Sequence, residues 1–269
     1  MEEDRDEDLE LIQRIDDHIL TVGNFGIDPR IFHILDNVDS PEKKIAGIEK
    51  MIDMNFAVRL RNMADSVYYG MHRRGKVKNF FDVITSIGMQ PAKLYIIVMA
   101  LFNRLDIKHK ILDVESFATA LFARIIAEQM TKNVTAVEQA EIGGLFLNLG
   151  KVVIGIYESA EKVDLDPDFI SKHHRQFALR IIDNFMLPDY LKEIILEDRM
   201  ILRKNSFSVQ GVIYLAQSLV GKIIRDHGLI TLKSPMPKIE DNLETTLGLK
   251  ISEYFKLIGL GKYLNIKAY

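Results

Sequence analysis

The sequence predicts an all-α protein, and three observations carry that expectation. Apolar residues recur at three- and four-residue spacing along most of the chain, as in Leu9, Ile12, Ile15 and Ile19, or in Ile45, Ile48, Met51 and Ile52. Several of the seven prolines stand where a helix would open. No Asn-Gly or Asp-Gly turn separates alternating apolar runs, so no β-hairpin is signalled.

Taken in order, the first seventeen residues hold nine acids against two bases and run into an amphipathic helix. Asp28-Pro29 and Ser40-Pro41 each couple an N-cap side chain to a proline of the first turn. They are expected to open helices over residues 31–38 and 42–54. The next helix, 55–67, continues through Phe56, Leu60 and Met63 and breaks at the glycines 70 and 75. Further helices are expected over 82–87, 91–105, 116–131 and 136–157. A polar segment, 106–110, reads as the boundary between two helical bundles that pack together, being too short for a flexible linker. Helices at 168–185, 190–202, 208–226 and 242–268 complete the chain. Gly143, Gly144 and Gly150 fall inside apolar helical sequence, where small residues permit close packing.

Composition bounds the function. The 269 residues are 48% hydrophobic and 27% charged, with a net charge of −3, an ordinary globular profile that argues against broad nucleic-acid binding. The longest apolar run, 94–102, has nine residues, well short of the ~20 that span a bilayer. The acidic start is unlike a signal peptide, so a cytoplasmic location is expected. Cysteine is absent, which excludes disulfides, thiolate catalysis and Cys-ligated metal centres. Metal chemistry would have to come from carboxylates and seven histidines: His18, His33, His72, His109, His173, His174 and His227. Phosphate-binding Gly-Lys loops, dinucleotide fingerprints, nucleophile elbows and His-Glu-x-x-His are all missing.

One segment is informative. Gly144-Leu145-Phe146-Leu147-Asn148-Leu149-Gly150-Lys151 resembles the Gly-Leu-Leu-His-Asp-Ile-Gly-Lys element of the HD superfamily. There, consecutive His and Asp ligate a divalent metal that activates water and stabilises phosphoryl charge. Here Leu147-Asn148 stands in that place, and leucine offers no ligand at all. The likeness extends further. Asp53-Met54-Asn55 through Asp65-Ser66-Val67-Tyr68-Tyr69-Gly70, then Val83-Ile84-Thr85-Ser86-Ile87-Gly88, and then His174-Arg175-Gln176-Phe177-Ala178 through Leu187-Pro188 are similar to successive elements of the HDOD family. That family groups output modules related to HD hydrolases.

The resemblance implies a two-lobed helical bundle of HDOD type, spanning 27–225. An N-terminal lobe (27–105) is followed by an HD-like lobe (111–225), flanked by an acidic helix (1–26) and a helical extension (226–269). Carried over residue by residue, the first metal-binding His falls on Glu115 and the His-Asp pair on Leu147-Asn148. The late-helix Asp falls on Gln217 and a downstream His pair near Asp198-Arg199, so only His174 survives. One imidazole does not assemble the three or more protein ligands of a catalytic metal site. The resemblance therefore implies no catalytic residues, no metal and no cofactor. What remains is an eroded site (Glu115, Leu147, Asn148, His174, Gln217) that is a possible ligand pocket. The expected role is a non-catalytic module of bacterial signal transduction, a pseudoenzyme binding a regulatory protein or a small signalling ligand. The alternative is a divergent metal-dependent phosphohydrolase or phosphodiesterase.

Three further features have plainer readings. His174 at a helix start reads as a hydrogen-bonding group, with His173 beside it solvated. Tyr68-Tyr69-Gly70 reads as a helix end stopped by glycine. Arg73, Arg74 and Lys76, in the densest basic run, read as a solvated loop or as a contact for an anion or acidic partner.

Overall fold

The computed structural model describes residues 3–21, 27–37, 39–64, 77–196 and 207–226, which form helices and turns with no strand among them. The N-terminal elements are α1 (Glu3–Thr21), α2 (Pro29–Asp36), α3 (Glu42–Gly47), a 3-10 turn (Ile48–Lys50) and α4 (Met54–Ala64). Next come α5 (Phe80–Ile87), α6 (Met89–Phe102) and α7 (Lys110–Met130). The remainder is α8 (Val134–Phe146), α9 (Leu149–Glu161), α10 (Pro167–Asn184), α11 (Tyr190–Leu196) and α12 (Val209–Asp226).

Local chemistry accounts for most boundaries. Asp28 caps α2 by accepting from the Arg30 amide at 2.9 Å, with Pro29 in the first turn. Ser40 does not cap α3 as expected: its hydroxyl donates to the Ile34 carbonyl at 2.7 Å and closes the preceding helix instead. The single helix expected over 42–54 is shorter, tightening into the 3-10 turn before α4 begins. Asn79 and Asp82 form a reciprocal capping box on α5. Gly88, at φ +94°, then bends the chain by 107° into α6, a conformation that favours glycine.

Two corrections bear on function. Helix α7 starts six residues before the expected Ser116, because its polar opening is buried rather than solvated. Asp113 lies there between Arg59 at 3.2 Å and Lys110 at 3.6 Å. Burial nevertheless outweighs both cations and raises the Asp113 pKa. The continuous helix expected over 136–157 is in fact two, α8 and α9, parted by a turn at Leu147-Asn148. The stretch is apolar all round, so its periodicity carries no mark of the turn. Together α8 and α9 are long and apolar enough to cross a bilayer, and most of that stretch is buried inside the fold, as core helices are.

Helix α6 contacts helices from both halves of the chain. Leu94 through Met99 are all buried, and α6 packs against α2 and α5 as well as α7, α8 and α9. Beyond it α7 packs on α8 and α12, and α9 packs on α10. Gly144 lets α8 close on α7, since a Cβ there would stand 2.9 Å from the Ala120 Cα. The acidic first helix does more than solvate a terminus. Ile15 and Ile19 enter the core, although Leu9, expected on the same face, is exposed. Asp8 pairs with Lys172 at 2.6 Å and Asp16 with Arg180 at 3.1 Å.

Candidate functional site

A cavity of about 470 Å³ lies where the α8–α9 turn, α10, α11 and α12 meet. The turn and the first residues of α9 contribute Leu147, Asn148 and Lys151. Helix α10 contributes Ser171, Lys172, His174, Arg175 and Ala178. The facing wall is mixed, with Ile194 and Ile195 from α11 and Gln210, Ile213, Tyr214 and Gln217 from α12.

Four of the five residues carried over from the HD pattern thus converge: Leu147, Asn148, His174 and Gln217. Glu115 does not line the cavity. It is buried on α7 with one carboxylate oxygen unpartnered. Burial raises its pKa, while the Lys151 ammonium pulls the other way. Asp198, Arg199, Arg73, Arg74, Lys76 and the Tyr68-Tyr69-Gly70 segment lie outside the described residues, as does most of 226–269.

The position of His174 is set by Gly150. A Cβ at Gly150 would collide with the His174 carbonyl, so α9 and α10 meet here backbone to backbone. His174 Nδ1 lies 3.0 Å from the carbonyl oxygens of Ile170 and Ser171. Carbonyls only accept, so Nδ1 carries the proton and the neutral ring keeps its lone pair on Nε2. Burial, then the Lys151 charge, hold the His174 pKa below the ordinary histidine value, with Arg175 adding to this and the two carbonyls opposing it. His173, expected to be solvated, is instead mostly buried, 3.2 Å from Asp8 and packed on the Phe169 ring.

The residues that sequence reasoning passed over are the cations. Lys151, Lys172 and Arg175 all line the cavity, and no lining residue among the described ones is acidic. Lys151 has no carboxylate within ion-pair distance among the described residues, while Lys172 is shared with Asp8. The adjacency of Lys151 to Gly150 and of Arg175 to His174 was the available signal.

This donor set does not fit a divalent metal. Leu147 has no ligand atom, Asn148 and Gln217 are neutral amides, His174 is the lone imidazole, and an ammonium group stands among them. Among the described residues no three His, Asp or Glu side chains come together at metal-binding range.

The HDOD domain model matches residues 27–199, and the chain belongs to the HDOD family. Two solved structures align with the chain, and the first of them shares its fold. A candidate metal-dependent phosphohydrolase from Shewanella amazonensis SB2B aligns with a TM-score of 0.60 at 14% identity, over 99% of this chain and 92% of that one. An HDOD domain protein of unknown function from Geobacter sulfurreducens aligns with a TM-score of 0.49 at 15% identity, over 94% and 89%. No functionally curated protein matches the sequence.

Proposed function

We propose that this HDOD domain is a non-catalytic regulatory module of signal transduction, acting by binding a small signalling ligand or a protein partner. The observation that carries this reading is Leu147-Asn148, which lines the cavity where HD enzymes carry their His-Asp pair. Without those ligands no cluster of metal-binding side chains is left among the described residues to hold a water-activating cation. The cavity keeps the size of a small-molecule site, which runs to roughly 300–1,000 Å³.

A divergent phosphohydrolase is the second reading, and His174 favours it. With Nδ1 held by backbone carbonyls, Nε2 has the presentation of a metal-binding imidazole. One experiment separates the two. Purified protein is assayed with magnesium or manganese on phosphomonoester and phosphodiester substrates, alongside elemental analysis. The regulatory reading expects no turnover above that of His174→Ala. Stoichiometric metal with turnover abolished by His174→Ala would overturn it.

A further inference from the structure

We infer that the cavity is a binding site for an extended peptide segment of a partner protein, with the side-chain amides of Asn148, Gln210 and Gln217 taking its main-chain N–H and C=O groups. This deepens the regulatory reading and rests on it, since it takes the cavity as a place of binding rather than turnover.

Asn148 is the central group. It lines the cavity and is only 3% exposed, yet its side chain does not cap α9 and makes no hydrogen bond among the described residues. Buried side-chain amides are matched in nearly all folded proteins, and here the cavity is where a partner can stand. That partner must donate and accept on neighbouring atoms, because a primary amide does both. Gln210 and Gln217 repeat the demand on the facing wall, and neither makes a hydrogen bond among the described residues. His174, whose Nε2 keeps its lone pair, lines the same cavity.

A peptide bond meets that demand, since its N–H and C=O stand on adjacent atoms and pair with a primary amide in both directions. The spacing of the amides selects a chain of such bonds. Gln210, Ile213, Tyr214 and Gln217 lie on one face of α12, and the two glutamines are separated by a rise of about 10.5 Å. Three residues of extended chain cover about 10 Å, whereas a single planar ring is too short to reach both. Between the glutamines Ile213, with Ile194 from α11, gives apolar contact to a side chain of the segment. Nothing in this match requires the ligand to carry a charge.

The test is NMR titration of isotope-labelled protein with the uncharged tripeptide acetyl-Ala-Leu-Ala-N-methylamide, read on the side-chain amide signals of Asn148, Gln210 and Gln217. Those signals are expected to shift saturably, with a Kd below about 5 mM. Asn148→Leu should weaken binding by about 5-fold or more, the size of losing one or two neutral hydrogen bonds. Gln217→Leu should act alike, and it decides the matter if Asn148→Leu fails to fold. Lys132→Met, exposed ahead of α8, should bind as the parent does. Five results would each overturn the inference: no saturation, parent-like binding by every folded variant of Asn148 and Gln217, equal loss in Lys132→Met, equal binding of the analogue with esters in place of its internal amides, or tighter binding of uracil. The same samples are assayed with manganese and para-nitrophenyl phosphate. Release of nitrophenol that His174→Ala abolishes means that the regulatory reading fails, and peptide binding is then scored by itself. Absent binding without release removes the peptide site alone.

Discussion

His174 is an imidazole whose ordinary titration is suppressed by its surroundings, and that gives its contribution to stability a definite sign. In the unfolded chain it protonates near pH 6.5, and in the fold only at lower pH. Between those two values the unfolded state binds more protons, so stability falls as pH drops through the window and levels off below the folded value. Above pH 6.5 the group contributes no pH dependence. His174→Gln should therefore lose less thermal stability than the parent on going from about pH 7.5 to about pH 5.5. Melting curves of both proteins at the two pH values check it, and an equal loss would mean His174 titrates as it does in water. Glu115 has the opposite sign. Its raised pKa costs stability as pH rises through the folded value, so the two groups give slopes of opposite sign.

At the scale of elements, the site depends on how closely α9 approaches α10. Gly150→Ala places a methyl group on the His174 carbonyl, which belongs to backbone and cannot rotate away. A loss of about 3 kcal/mol or more is expected, the upper end of the usual overpacking range. Urea denaturation measures it, and a loss under ~1 kcal/mol would show that the helices can part easily. Most of the elements were legible in the residues, because Asp28-Pro29 and the three- and four-residue apolar spacing state local physics directly. What stayed hidden was tertiary. Ser40 turned to the helix before it because Ile34 offered a carbonyl there, which no local pattern specifies. The Leu147-Asn148 turn lies in sequence that is apolar on every face, so periodicity ran straight through it. The candidate site divides in the same way. Leu147, Asn148, His174 and Gln217 were found through the motif, and they do meet. Lys151 and Arg175 were in view as neighbours of motif residues, yet only the packing of α9 on α10 turns them toward a common space. Glu115 occupies a motif position but is drawn into the core behind that space.

Over the whole molecule one hydrophobic cluster runs from Ile15 in α1 to Val220 in α12. A continuous core couples the opening of each part to the others, so a single cooperative unfolding transition is expected. Ile15, fully buried near the N-terminus, tests how far that cooperativity reaches. Ile15→Ala should lower global stability by roughly 2–5 kcal/mol with an unchanged denaturant slope. A separate early transition would show α1 unfolding by itself. The ion pairs agree with an integrated first helix, since Asp8 and Asp16 reach residues more than 160 positions away on α10.

The contact at Gly150 also sets a mechanical rule. Shear between helices needs a layer of side chains to slide over, and α9 and α10 have none at their crossing. At that point the two backbones cannot slide past each other, which fixes the spacing between the main chain at Gly150-Lys151 and that at His174-Arg175. On the other side of the cavity Ile194 and Ile213 are seated as closely on α8, where a Cβ at Gly143 would stand 2.5 Å from each side chain. Two missing methyl groups, at Gly143 and Gly150, thus clamp both walls of the cavity to the α8–α9 pair.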